Sequence, residues 1–216
     1  MKDLNPFLLI GIQFIVILML SFVFSVAKTI YPSKVIAQIS QQTATSVHFT
    51  IYIDRDLAID EVWAVQNAAA RWTIATKGIA TIDTVLLPAP LKTEDPAYTL
   101  IVSGVSPDYP GILYLDKRNK NITVAYYNPS ELHYPAILVV PDRMPDIKIF
   151  EQVMMHEIGH ALGLLHLEGP DNYLTLMFPT VDLQSPGITD KDMASFCVIY
   201  HCDPTKLQYE EEFLHP

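Results

Sequence analysis

Cysteine is nearly missing from this chain: there are 2 in 216 residues. A framework of several disulfides is therefore excluded, and so is any metal site built from clustered thiolates. Basic residues are also scarce. Lys and Arg number 14 against 24 Asp and Glu, a formal net charge of −10. Nucleic acid is not expected as a partner, because a phosphate backbone needs clustered Lys and Arg. Internal repeats are absent, and so is low-complexity sequence outside one apolar run near the N-terminus.

That run, Phe7 to Ala27, is broken only by Gly11, Gln13, Ser21 and Ser25. About 20 such residues can cross a bilayer. Two readings stand. Ser25-Val26-Ala27 places small residues where a signal peptidase cuts, with Val35-Ile36-Ala37 a second option. Signal-peptide cores usually run about 7–15 residues, so the longer run also fits an uncleaved membrane anchor. Either reading places the rest of the chain outside the cytoplasm, secreted or anchored. Residues 1–27 are thus a signal peptide or anchor, and 28–46 a polar linker. The main domain is expected over 47–205, with an acidic tail at 206–216 that contains Glu210 to Glu212.

Within the domain, Val47 to Ile53 reads as a strand. A helix comes next, with Asp60 as its expected N-cap and Val62, Val65, Ala69 and Trp72 at helical spacing up to Gly78. Tyr98 to Ser103, Ile112 to Leu115, Ile122 to Tyr127 and Ala136 to Val140 read as further strands. The polar stretch Asp116 to Asn121 reads as the turn between two of them. Asp146 is the expected cap of a helix running to about Leu162. Thr189 and Asp192 resemble a capping box at the start of a last helix. Strands alternating with helices suggest an α/β (α+β) domain with a mixed sheet. Cys197 and Cys202 are five apart, so they cannot bridge within one straight helix. If the helix ends near Tyr200 they can close a small disulfide loop; otherwise they are two free buried thiols.

The chemistry sits in His156 to His166, which read HEIGHALGLLH. His156 and His160 are one helical turn apart, so both imidazoles can reach one Zn²⁺ at about 2.0–2.1 Å. Glu157 lies beside the first and can take a proton from the attacking water. His166 is six residues beyond His160 and cannot point the same way on a straight helix. Gly163 can adopt positive φ and turn the chain so that His166 becomes the third ligand. Three histidines with a fourth position open is the layout of a catalytic zinc.

This segment resembles the zinc-binding consensus of the metzincin metalloproteases, and within them the matrixin (matrix-metalloprotease-like) branch. Leu174 to Thr180 (LTLMFPT) is similar to the methionine turn of that group, with Met177 as its methionine. Thr189 to Tyr200 resembles the closing matrixin helix, and Ile59 to Thr76 the first one, through Ala69 and Trp72. The resemblance implies a metzincin-like zincin domain: a twisted mixed sheet packed on two helices, then a small C-terminal subdomain with one helix. It implies a zinc-dependent endopeptidase, acting as a monomer on extracytoplasmic protein or peptide substrates. Met177 would be a packing floor under the metal. The cysteine of a latency pro-segment has no counterpart before Cys197. The Gly/Asp-rich stretch that holds structural zinc and calcium in vertebrate matrixins has none between Gly111 and Val140, which leaves a Ca²⁺ requirement open. Two other functions share these residues: a membrane-tethered zinc-binding scaffold, and an amidase acting on a non-protein acyl bond.

Overall fold

A computed structural model describes residues 46–88, 100–119, 122–129, 135–144, 146–180 and 187–207. The apolar run Phe7 to Ala27, most of the linker and most of the acidic tail lie outside these residues. Among the described residues, no helix is long and apolar enough to cross a membrane.

Five strands form one mixed sheet in the order β2-β1-β3-β5-β4. They are β1 (Val47–Ile53), β2 (Ala80–Leu86), β3 (Leu100–Gly104), β4 (Ala125–Asn128) and β5 (Ala136–Val139). The first four in spatial order run parallel; β4 is antiparallel to β5 and forms an edge. Four α-helices accompany them: α1 (Ile59–Ala75), α2 (Pro110–Asn119), α3 (Ile147–Ala161) and α4 (Asp190–Tyr200). Ile51, Ile53, Leu100, Val102, Ile137 and Val139 share one face of the sheet and enter one core with α1, α3 and α4. Ile101 and Leu138, on the other face, are buried as well, as is Ile112 of α2. A parallel sheet covered on both faces has to be apolar on both, and β5 (AILV) is buried throughout.

Three elements depart from the sequence expectation. Ile112 to Leu115 is not a strand but the middle of α2, and Asp116 to Asn119 continues that helix rather than turning. Pro110 at its first position has the φ a helix start needs and no N–H to lose. Lys117 and Arg118 in the last turn complement the helix dipole. Only Ile112 is buried, while Leu113 and Tyr114 are exposed; a short apolar run of this kind does not separate helix from strand. The N-cap of α1 is Ala58, not Asp60. Glu61 accepts from the Ala58 N–H at 2.7 Å and thereby does the capping, while Asp60 sits inside the first turn. Strand β2 has no counterpart among the expected strands; it pairs in parallel with β1 as the far edge.

Candidate metal centre

Helix α3 carries two of the three histidines. Its start is capped as expected: Asp146 accepts from the Lys148 N–H at 2.8 Å. Trp72 of α1, fully buried, donates its indole N–H to the Met155 carbonyl at 2.8 Å and anchors α3 one residue before His156. At the other end, Gly163 has φ +91°. The Gly163 N–H bonds the His160 carbonyl at 2.9 Å and the Leu164 N–H bonds the Gly159 carbonyl at 3.0 Å. This pair of bonds is a Schellman ending, and it requires the left-handed residue that glycine supplies without strain. Tyr200 of α4 donates to the Leu162 carbonyl at 3.0 Å, satisfying a further helix-end acceptor. The chain leaves the turn heading back, and His166 meets the other two histidines.

The three Nε2 atoms form a nearly equilateral triangle. His156 and His160 are 3.1 Å apart, His160 and His166 3.1 Å, and His156 and His166 3.2 Å. His156 Nδ1 donates to the Leu176 carbonyl at 2.7 Å, and His160 Nδ1 to the Leu164 carbonyl at 2.9 Å. A carbonyl only accepts, so each Nδ1 carries the proton and each Nε2 offers a lone pair. At least two lone pairs therefore face each other at the centre of the triangle, which is unfavourable unless a cation lies between them. Nitrogens at about 2.0–2.1 Å from a tetrahedral ion stand roughly 3.3 Å apart, close to the triangle's sides. Among the described residues, these three form the one group of ligating side chains able to hold a metal ion together.

Electrostatics keep the ligands neutral. Burial pushes the His156 imidazole down to about 3, and repulsion from His160 adds to it. Burial takes His160 to about 4 and also lowers His166, the most exposed of the three. Glu157 behaves oppositely: burial pushes its carboxyl up to about 8, partly offset by a hydrogen bond from the Tyr127 backbone. Its Oε2 is buried without a hydrogen-bond partner among the described residues. A buried carboxyl oxygen without a partner, on the residue after His156, is costly in a purely structural role.

Met177 is fully buried beneath α3. A Cβ placed on Gly159 would come within 2.5 Å of Met177 Sδ and 3.2 Å of Trp72 Cζ2. Gly159, between the two helical histidines, is thus the position that lets Met177 approach. The turn around Met177 is held from α4. Asp192, completely buried, accepts from the Leu176 and Met177 N–H groups, both at 3.0 Å. It also accepts from the Thr189 N–H at 2.8 Å and hydroxyl at 2.7 Å, completing the capping box. In the sequence Asp192 is visible only as a helix cap; its second role depends on tertiary packing. Leu176, held in this way, returns its carbonyl to His156. The Leu167 N–H, next to His166, bonds the Met177 carbonyl at 2.8 Å. Cys197 and Cys202 form a disulfide across the end of α4, the arrangement that a helix end at Tyr200 permits. The remaining described histidines stay apart from the centre: His48 pairs with Asp83 at 2.8 Å, and His201 forms the left-handed end of α4.

A search of curated proteins finds no match. Among solved structures, archaemetzincin from Methanopyrus kandleri aligns with a TM-score of 0.47 and 13% identity, covering 75% of this chain and 99% of that one. The weight rests on the family comparison, in which the matrixin profile matches residues 37–201. That match spans the first strand, the histidine triangle, the methionine turn and the closing helix, and by it the chain belongs to the matrixin family of zinc metallopeptidases.

Proposed function

We propose that this protein is an extracytoplasmic zinc-dependent endopeptidase in which Glu157 is the general base. The observation that carries it is the triangle of Nε2 lone pairs, together with the buried, unpartnered Oε2 of Glu157, the residue after His156. His156, His160 and His166 would hold the ion, and zinc bound there supplies a Lewis acid that polarises a carbonyl and activates water. Glu157 Oε2 takes the proton of the attacking water and hands it to the leaving amine. Met177 does no chemistry and supports the histidines from below.

The substrate binds extended along β4. The Val140 N–H bonds the Val124 carbonyl at 2.8 Å, so Val124, Tyr126 and Asn128 face β5 by antiparallel alternation. Ala125 and Tyr127 then turn their backbone groups away from β5, to the edge that pairs with no other strand among the described residues. Glu157 bonds the Tyr127 backbone, so that edge runs beside the base. A peptide added to the edge would gain main-chain hydrogen bonds while passing the metal. The extracytoplasmic address is supported by the apolar run Phe7 to Ala27 and by the Cys197–Cys202 disulfide, which persists best in an oxidising compartment. A single chain contains every group the reaction uses, so a monomer is expected to act.

Peptide-library cleavage by the zinc-loaded protein, read by mass spectrometry, tests this. Glu157→Ala should keep zinc and lose about 10²–10⁴ of kcat/KM. His160→Ala should lose zinc as well. Wild-type turnover in Glu157→Ala would refute the mechanism.

A further inference from the structure

The lead-in to β4 is fastened by a polar network that the reaction itself does not use. Asp116, in the last turns of α2, accepts from the Thr123 N–H at 2.7 Å. Arg143, in the short turn before α3, donates to the Thr123 carbonyl at 2.7 Å. It also donates to the Pro107 carbonyl at 3.2 Å, and its guanidinium meets the Asp116 carboxylate at 3.0 Å. Both peptide groups of Thr123 are thus gripped, one by each partner of an ion pair. Both side chains are largely shielded from water, at 18% and 24% exposure, so the pair is screened less than an open surface bridge. The Thr123 N–H, then Arg143, hold the Asp116 carboxyl below its usual range.

A second contact fixes β4 to the same helix. A Cβ on Gly111 would come within 2.5 Å of the Tyr126 hydroxyl, so α2 lies against the Tyr126 side of the strand. Tyr127, the next residue, faces the main core and bonds Glu157 through its backbone. Strand β4 has only four residues and one partner strand. An edge that short is marginal by itself, and small shifts in its lead-in reach every backbone group it presents.

We propose that Asp116 and Arg143 are positioning residues that hold β4 in register for substrate, acting through Thr123. The proposal rests on the reading of β4 as the substrate-binding edge. Neither side chain touches the metal centre. Loosening the clamp therefore weakens substrate pairing and leaves the histidines alone. The guanidinium is needed for its fork: one planar group reaches a carbonyl on each side and a carboxylate at once, which an ammonium cannot do.

The test compares wild type, Arg143→Lys, Arg143→Met and Asp116→Asn as zinc-loaded full-length protein. Asp116→Asn keeps an acceptor for Thr123 and loses only the ion pair, so it guards against an Arg143 variant that fails to fold. Arg143→Met should raise KM about 3–10-fold for an extended peptide, with kcat within about twofold and zinc content unchanged. Arg143→Lys and Asp116→Asn should fall between. Hydrogen exchange should quicken over residues 122–128 and stay as in wild type over 147–161. Unchanged KM in folded variants, or a fall in kcat at constant KM, would overturn the clamp. So would unchanged exchange over 122–128. Failure of wild type to cleave any peptide would instead overturn the endopeptidase function, and the exchange comparison would still decide whether the clamp holds β4.

Discussion

The floor of the metal centre and the edge strand beside it are held by different physics. Under the metal, Asp192 is completely buried and receives four hydrogen bonds, two of them from the methionine turn. At the edge, Asp116 and Arg143 remain partly open to water and hold Thr123, with Arg143 also reaching the Pro107 carbonyl. A buried carboxylate that accepts four hydrogen bonds is costly to disturb, whereas a partly exposed pair yields at little cost. The protein is rigid where ligand geometry must be fixed. It is more lightly fastened at the edge proposed to receive the peptide.

Removing the buried carboxylate should break this contrast most severely. Asp192→Ala strands the Leu176, Met177 and Thr189 N–H groups in the interior and frees the carbonyl that orients His156. A loss of about 3–5 kcal/mol in denaturant unfolding is expected, together with weakened zinc binding. A variant of wild-type stability and zinc affinity would mean that the methionine turn stands without α4.

Filling the contact under the helix comes next. Gly159→Ala sets a methyl group 2.5 Å from Met177 Sδ and 3.2 Å from Trp72. Methionine can shift but buried tryptophan cannot, so about 1–3 kcal/mol should be lost, measured by thermal unfolding. Gly159→Ala combined with Met177→Leu tests the contact directly. Partial recovery in the double variant identifies the methionine as the obstacle.

The smallest effect is electrostatic and belongs to the metal-free protein. Glu157 has its folded value raised from 4.5 to about 8, while His156 and His160 are lowered from 6.5 to about 3 and about 4. Below pH 6.5 the two kinds of group oppose each other: the histidines make stability rise with pH and Glu157 makes it fall. Above about pH 7 the histidines are neutral in both states. Glu157 alone still binds a proton only when folded, so stability falls as pH rises. About 1 kcal/mol should be lost between roughly pH 7 and 8. Glu157→Gln should flatten that slope in chelator-treated protein, and a slope that persists would assign it elsewhere.

The metal centre is legible in the sequence because its chemistry is local. His156, Glu157, His160, Gly163 and His166 lie within eleven residues, and helical geometry with one glycine turn brings them together. Caps at Asp146 and Thr189 are readable for the same reason, since a cap acts over three residues. Strand β1 and the buried β5 are readable from composition. Helix α2 is not, because four apolar residues in a row satisfy either period. Nor is β2, whose ATIDTVL holds both apolar and polar residues, suiting an edge. The localisation rests on residues outside those described.

By itself, the sequence determined the candidate ligand set, the break that brings in the third histidine, the base candidate and the family. All of these come from residue type and short-range spacing, which the backbone turns into geometry within one helix and one turn. Tertiary structure alone decided that Asp192 braces the methionine turn from 15 and 16 residues away. It alone decided that Gly159 admits Met177, and that α2 and Arg143 grip the strand whose Tyr127 backbone bonds Glu157. Such contacts join segments distant in the chain. They exist only once the sheet and helices have packed and the water between them has gone.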